Sequence, residues 1–235
     1  EALARWHMAY GTMRMPDDFI AIAEESGLIS DLFFAVLKAA ALEAKNWPDE
    51  LHLAVNLSPV QFGDDWLVER ILQTLLDAGV APGRLEIEIT ESALVSDLDA
   101  ARNLILSLKN QGISISLDDF GTGYSSLRHL SELPFDKLKI DRSFVRGIET
   151  NSASQSIVRA VTALAHNLGL EVTAEGVETY DNARSVIDSG CDIGQGFLYG
   201  RPNDSGQLAL ADRRSGTTGS VSDDPAQNAR NDQAA

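Results

Sequence analysis

Short β-rich runs alternate with longer amphipathic helical stretches along this chain, and the alternation constrains the fold more than any other feature. Strand–helix–strand repetition with short connections is typical of a parallel sheet with helical crossovers. The predicted strands are Leu51–Leu57, Leu85–Thr90, Ile113–Asp118, Lys137–Ile140, Glu171–Ala174 and Asp192–Phe197. The predicted helices are Pro16–Ser26, Ser30–Asn46, Pro59–Ala78, Asp97–Asn110, Ser125–Leu133, Ser152–Leu168 and Tyr180–Ser189. The sequence therefore predicts an α/β protein.

Polar or ionisable residues stand at or just after the ends of nearly all these strands. They are Asn56, Glu88, Asp118, Asp119, Lys139, Asp141, Glu175 and Gln195. In an open sheet only the strands beside the switch point need such endings, whereas in a closed barrel all strand ends ring one mouth. We therefore expect a TIM-like barrel. Because six strands are too few for an eight-stranded barrel, we expect the deficit to lie at the front, where the chain begins abruptly at Glu1.

The charge balance excludes several classes of partner. The formal net charge is −16, which argues against binding to duplex nucleic acid or to an anionic membrane. No apolar run reaches the ~20 residues that span a bilayer, so we expect no membrane segment. The single Cys191 fits a reducing compartment and favours a cytoplasmic protein. Residues 203–235 are polar and small, and we expect a disordered C-terminal tail there.

The strand-end acids predict a metal site. Glu1, Glu88, Asp118, Asp119 and Glu175 would converge on one mouth, where they stay ionised only if cations neutralise them. Oxygen ligands with one amide and no His or Cys favour Mg²⁺ or Mn²⁺. The adjacent acids Asp118 and Asp119 suggest bridging carboxylates, as two-metal hydrolysis of phosphodiesters requires. The competing interpretation is a set of ordinary loop acids.

Two further features of the mouth have alternative interpretations. Lys139 is expected to orient an attacking water or to stabilise charge on a phosphate. The glycine-containing segment 118–126 superficially suggests a dinucleotide fingerprint, but its third glycine is replaced by a serine. We favour a mobile active-site loop.

Taken together, the motifs resemble those of the EAL domains, which are cyclic di-GMP-specific phosphodiesterases. The resemblance runs from Glu1 to about Pro202. The motifs that carry it are Glu1-Ala2-Leu3 with Arg5-Trp6, Asn56-Leu57-Ser58, Glu88-Ile89-Thr90-Glu91, Asp118 to Leu127, Lys139-Ile140-Asp141, Glu175-Gly176-Val177-Glu178 and Gln195-Gly196-Phe197.

The resemblance implies a fold, a reaction and a partner. It implies an EAL-type modified (β/α)8 barrel over residues 1–202, with the family's first strand and most of its second missing from this chain. It implies hydrolysis of cyclic di-GMP to linear pGpG with Mg²⁺ or Mn²⁺, two divalent ions being expected. A homodimer is a further expectation of this kind.

The resemblance also assigns roles to individual residues. Glu1, Asn56, Glu88 and Asp118 would bind one metal, and Asp119 and Asp141 the second, with Asp118 shared. Glu175 would belong to the metal site and, with Lys139, to the catalytic machinery. Glu91 would anchor the mobile loop, while Arg5, Gln195 and Glu178 would serve substrate binding. The alternative function is an EAL-like receptor that binds cyclic di-GMP without cleaving it. Such receptors typically lose metal ligands, and none of the matched positions is lost here.

Overall fold

A computed structural model describes residues 1–8, 11–122 and 127–203 of the chain. The predicted tail therefore lies, from residue 204 onward, outside the described residues. Residues 123–126 of the glycine-containing loop also lie outside the described residues. They include the first two residues of the helix predicted at Ser125–Leu133.

The centre of the molecule is a six-stranded, all-parallel sheet in sequential order, β3-β4-β5-β6-β7-β8. These strands are Leu53–Asn56 (β3), Leu85–Thr90 (β4), Ser114–Phe120 (β5), Lys137–Ile140 (β6), Glu171–Ala174 (β7) and Ile193–Gly194 (β8). Ala2 extends the β3 edge, since its N–H donates to the carbonyl of Ala54 at 2.8 Å. A two-stranded antiparallel hairpin, Trp6–His7 (β1) with Met13–Arg14 (β2), precedes the sheet.

Helices cross over between the strands, as the alternation predicts. They are Pro16–Glu25 (α1), Ile29–Ala44 (α2), Leu67–Ala78 (α3), Glu91–Ser96 (α4), Leu98–Asn110 (α5), Leu127–Glu132 (α6), Arg142–Val145 (α7), Ser152–Asn167 (α8) and Tyr180–Asp188 (α9). Within the described part of the chain, no helix is both long and apolar enough to span a membrane.

Strand β4 shows why the sheet is buried on both faces. Leu85, Ile87 and Ile89 are fully buried in the apolar core, and the intervening Glu86 and Glu88 are also buried. Because successive strand side chains point to opposite faces, the apolar residues and the acids lie on opposite sides of β4. The acids therefore face the inner side of the curled sheet, opposite the helices.

The predicted helix Pro59–Ala78 is wrong in its first part. Pro59–Gln61 forms a 3-10 turn capped by the Ser58 hydroxyl, and the continuous helix begins only at Leu67. Gly63 follows the turn, and the Asp64 carboxylate then accepts the backbone N–H of Trp66 at 2.9 Å. This local Asx turn competes with the helical hydrogen bonds and interrupts the helix.

The predicted strand Asp192–Phe197 is too long. Strand β8 ends at Gly194, because the carbonyl of Gln195 instead accepts the N–H of Val177 at 3.0 Å. A side chain at Gly196 would collide with the backbone of Val177, so the chain leaves the sheet at this crossing. The alternation does not predict helices α4 and α7 or the β1–β2 hairpin. Each of these elements is too short to show a hydrophobic periodicity in the sequence.

Candidate active site

A buried ammonium group lies at the centre of a ring of acids near the carboxyl ends of the strands. Lys139 Nζ, at the end of β6, lies 2.7 Å from Glu88 Oε1, 2.7 Å from Glu175 Oε1 and 3.2 Å from Asp118 Oδ1. Glu1 Oε2 is 3.9 Å away. Lys139 and Glu88 are each only 2% exposed. Strands β4, β5, β6 and β7 therefore each bring a charged side chain into one small volume.

Glu1 joins the two ends of the sheet at this mouth. Its Oε1 accepts from the Asn56 amide at 2.8 Å, and its Oε2 accepts from the Gln195 amide at 2.8 Å. Asn56 ends β3, whereas Gln195 follows β8 at the other end of the strand order. The sheet is thus curled strongly enough for one side chain to contact both ends, which is the curvature of a barrel.

An irregularity in β5 brings two adjacent acids to the same mouth. Neighbouring residues of a regular strand point to opposite faces. Here the register with β6 shifts between Leu117 and Phe120, and Asp119 has a positive φ of 56°. Carboxylate oxygens of Asp118, Asp119 and Glu175 consequently all lie within 4.8 Å of one another. A non-glycine residue with positive φ is strained, and such strain concentrates at functional sites.

Burial and crowding shift the pKa values of these acids upward. Burial, opposed by Lys139 but reinforced by Glu1 and Asp118, raises the pKa of Glu88 to about 8. Burial together with Asp118 raises the pKa of Glu175 to about 7. The pKa of Asp119 is also raised, by burial and by the neighbouring charges of Asp118 and Asp141. The positive charge near Glu88, Glu175 and Asp119 is therefore too small to keep all three carboxylates at their ordinary pKa values.

The same charges act in the opposite direction on two other groups. Burial works to lower the pKa of Lys139, but Glu88 and Glu1 outweigh it and the pKa is raised. Burial works to raise the pKa of Glu1, but Lys139 and the two amides hold it below its ordinary value. Lys139 is therefore protonated at neutral pH.

The donor set fits hard divalent cations. It consists of carboxylate and amide oxygens, which Mg²⁺ and Mn²⁺ prefer. Glu88 Oε2 is buried and has no hydrogen-bond partner among the described residues. An orphaned buried carboxylate oxygen is costly, and a cation at this position would satisfy it while returning the raised pKa values toward normal.

Glu91 contacts the loop that follows β5. Its Oε2 accepts the backbone N–H of Gly121 at 2.9 Å, and the side chain is buried. Gly121 has a φ of +100°, and a Cβ there would lie 2.6 Å from the Phe144 ring. The described start of the loop is therefore held by a buried carboxylate and by close packing against α7.

The remaining predicted residues have local contacts or face solvent. Asp141 caps α7, where its Oδ1 accepts the Ser143 N–H at 3.0 Å. The Arg5 guanidinium donates to the carbonyl of Ala4 at 2.8 Å. Glu178 is exposed in the loop between β7 and α9. Of the predicted set, the described contacts thus join Glu1, Asn56, Glu88, Asp118, Lys139, Glu175 and Gln195 directly, and these contacts do not include Arg5 or Glu178.

The strand-end pattern does not indicate one further hydrogen-bonded pair, between the buried Asn182 and the exposed Glu149. The Asn182 amide, in the first turn of α9, donates to Glu149 Oε2 at 2.6 Å. The spacing Thr179-x-x-Asn182 is a capping-box spacing, and that signal was available from the sequence. The partner Glu149 lies 33 residues away, and no local pattern indicates it.

Comparison with known proteins agrees with this geometry. The chain is 41% identical over 212 residues to the bifunctional diguanylate cyclase/cyclic di-GMP phosphodiesterase MucR of Pseudomonas aeruginosa, a match that covers 88% of this chain and 31% of MucR. A solved structure of the MucR phosphodiesterase in complex with c-di-GMP superposes with a TM-score of 0.82 at 40% identity, covering 88% of this chain and 85% of that one.

A second solved structure contains a metal. The manganese and cyclic di-GMP complex of BlrP1 from Klebsiella pneumoniae has a TM-score of 0.72 at 31% identity, covering 85% of this chain and 54% of BlrP1. The chain spans about a quarter to a third of the length of the curated relatives it matches. The sequence profile described as "EAL domain" matches residues 1–202. The chain therefore belongs to the EAL domain family.

Proposed function

We propose that this chain hydrolyses cyclic di-GMP to linear pGpG with the help of divalent cations, Mg²⁺ or Mn²⁺. The observation that carries the proposal is the ring of acids around the buried Lys139, in which Glu88 Oε2 has no hydrogen-bond partner in the part of the chain that the structure describes. The names of the relatives support it, since MucR is a cyclic di-GMP phosphodiesterase and the BlrP1 structure contains manganese and cyclic di-GMP.

The residues that would hold the cations are the strand-end acids and one amide. Glu1, Asn56, Glu88 and Asp118 would hold one cation; Asp119 and Asp141, with Asp118 shared, would hold the second; Glu175 completes the set. When bound, the cations would lower the pKa of a water and neutralise charge on the phosphate. An acidic protein thereby accommodates an anionic substrate.

Lys139 acts in this scheme as a fixed positive charge. Because its pKa is raised, Lys139 stays protonated at neutral pH; the ammonium has no free lone pair to accept a proton, and it would instead donate hydrogen bonds to the attacking water or to phosphate oxygens. The Glu175 carboxylate, whose Oε1 lies 2.7 Å from Lys139 Nζ, would accept the proton of that water. Attack at one phosphorus breaks one of the two phosphodiester linkages and opens the ring.

Other side chains would position the substrate. Gln195, which donates to Glu1, would contact the substrate together with Arg5 and Glu178. Glu91 would anchor the loop beyond Gly121. A homodimer and a cytoplasmic location remain predictions from the sequence.

The test is to incubate the purified chain with cyclic di-GMP and Mg²⁺ or Mn²⁺ and to measure pGpG by chromatography. Glu88→Gln should lower turnover by at least about 100-fold because it removes a buried anionic ligand. Glu86→Gln is the matched control: Glu86 lies two residues earlier on the same face of β4, paired with Lys137 at 2.9 Å, and turnover should stay within about threefold of the unsubstituted chain.

Each outcome discriminates between the candidate functions. Formation of pGpG that requires the cation and Glu88 supports hydrolysis. Binding of cyclic di-GMP in Mn²⁺ without any pGpG would support the receptor function instead. Neither binding nor product would contradict both.

A further inference from the structure

Asn182 uses both ends of its amide, although it lies outside the acidic ring. It is 5% exposed, and its Oδ1 accepts the backbone N–H groups of Thr179 at 3.2 Å and Glu178 at 3.3 Å. Its Nδ2 donates to Glu149 Oε2 at 2.6 Å. A short hydrogen bond to a carboxylate is charge-assisted and stronger than one between neutral groups.

The residue type at this position matches this double task. The bond from Asn182 back to Thr179 is half of a capping box at the start of α9, and it requires only an acceptor. A carboxylate would serve equally well there. The bond to Glu149 requires a donor, and of the side chains with this shape only the amide supplies both. Asn182 therefore does more than cap a helix.

The segment that Asn182 holds carries candidate site residues. The loop Glu175–Glu178 joins β7 to α9, and its amino end continues the sheet, since the Glu175 N–H donates to the carbonyl of Ile140. Its carboxyl end is bound by Asn182. Glu149 lies between α7 and α8, in the connection that follows β6, so the pair ties two successive crossover segments together.

We propose that the Asn182–Glu149 pair is a latch that positions the Glu175–Glu178 loop for cation and substrate. The proposal rests on the function proposed above and assigns Asn182 and Glu149 as positioning residues for that site. Groups that orient metal ligands without touching the metal typically change metal affinity or activity by about 10–100-fold when substituted. We expect an effect at the lower end, because the sheet still holds Glu175 from the other side.

Asn182→Asp is the central variant. It preserves shape and the acceptor of the capping box, but replaces the donor by a second anionic oxygen facing Glu149. We expect Mn²⁺ affinity, measured by calorimetry on the full chain, to weaken by about tenfold, and kcat/KM for cyclic di-GMP to fall by about as much.

Substitution of the partner supplies the rescue. In the Asn182→Asp background, Glu149→Gln restores a donor opposite the new carboxylate and should return both values to within about threefold of the unsubstituted chain. Glu149→Gln alone should have little effect, because a glutamine oxygen still accepts from Asn182. Asn151→Asp adds the same charge at the N-cap of α8, where Asp is a good cap, and should change neither value.

The readouts separate a latch from a merely structural contact. If Asn182→Asp lowers the thermal midpoint but leaves Mn²⁺ affinity and kcat/KM unchanged, or if Glu149→Gln fails to rescue it, the latch is refuted. If the chain binds Mn²⁺ but produces no pGpG, the proposed reaction fails, while the Mn²⁺ affinities of the unsubstituted chain and its four variants still decide the latch. A chain that binds no Mn²⁺ overturns both proposals.

Discussion

In the absence of divalent cations, this protein should have a lower free energy of unfolding at pH 8 than at pH 6. Glu88 has a pKa of about 8 and Glu175 of about 7 in the folded chain, against an ordinary value of 4.5 for both. Between pH 4.5 and those values, the folded protein retains protons that the unfolded chain has released. Unfolding therefore releases protons in this window, and stability falls as the pH rises.

The size of the effect follows from the shifts. Each pH unit in which one such proton is retained costs about 1.4 kcal/mol. From pH 6 to pH 8, Glu88 contributes roughly 2 kcal/mol and Glu175 roughly 1 kcal/mol, a combined loss on the order of 3 kcal/mol. Glu1 and Lys139 do not add to it: the lowered pKa of Glu1 acts below pH 4.5, and the raised pKa of Lys139 acts above pH 10.5. A domain stable by about 5–15 kcal/mol would show this clearly.

Urea unfolding followed by circular dichroism, in EDTA at both pH values, measures the difference. Glu88→Gln removes one titrating group and should remove more than half of the pH dependence. Saturating Mn²⁺ should stabilise the chain more at pH 8 than at pH 6, because cation and proton compete for the same oxygens. If the metal-free chain is equally stable, or more stable, at pH 8, then the crowding of these acids does not govern their protonation and the reasoning fails.

Two further predictions concern single residues. Arg84→Met should destabilise the chain by about 2–4 kcal/mol in urea unfolding, because it removes the charge-assisted hydrogen bonds of the guanidinium to the carbonyls of Leu51 at 3.1 Å and Ala44 at 3.0 Å. A loss below about 0.5 kcal/mol would contradict this. Gly121→Ala should lower the free energy of unfolding by about 1–3 kcal/mol in the same assay and reduce pGpG formation, because Gly121 has a φ of +100° and the new Cβ would collide with Phe144. Unchanged stability and turnover would contradict the tight packing.

The location of the site was predictable because it depends on topology. Parallel strands joined by crossovers place all their carboxyl ends at one edge, so Asn56, Glu88 and Lys139 need only stand near the carboxyl ends of their strands to meet. The 2.8 Å hydrogen bond between Glu1 and Gln195 shows that the sheet is curled enough to bring its two ends to this same mouth.

Other features depend on contacts between segments that are remote in the chain, and local sequence patterns do not predict such contacts. The register shift that turns Asp119 toward Asp118 arises where β5 pairs with β6. Glu88 Oε2 has no hydrogen-bond partner among the described residues because several acids surround the single Lys139 ammonium. The pairing of Asn182 with Glu149 is of the same kind. Periodicity and strand-end chemistry are local properties, so the residues that gather at the mouth can be predicted from the sequence. Their distances, pKa values and supporting partners arise from side chains that the whole fold packs together, and these can be read only from the three-dimensional arrangement.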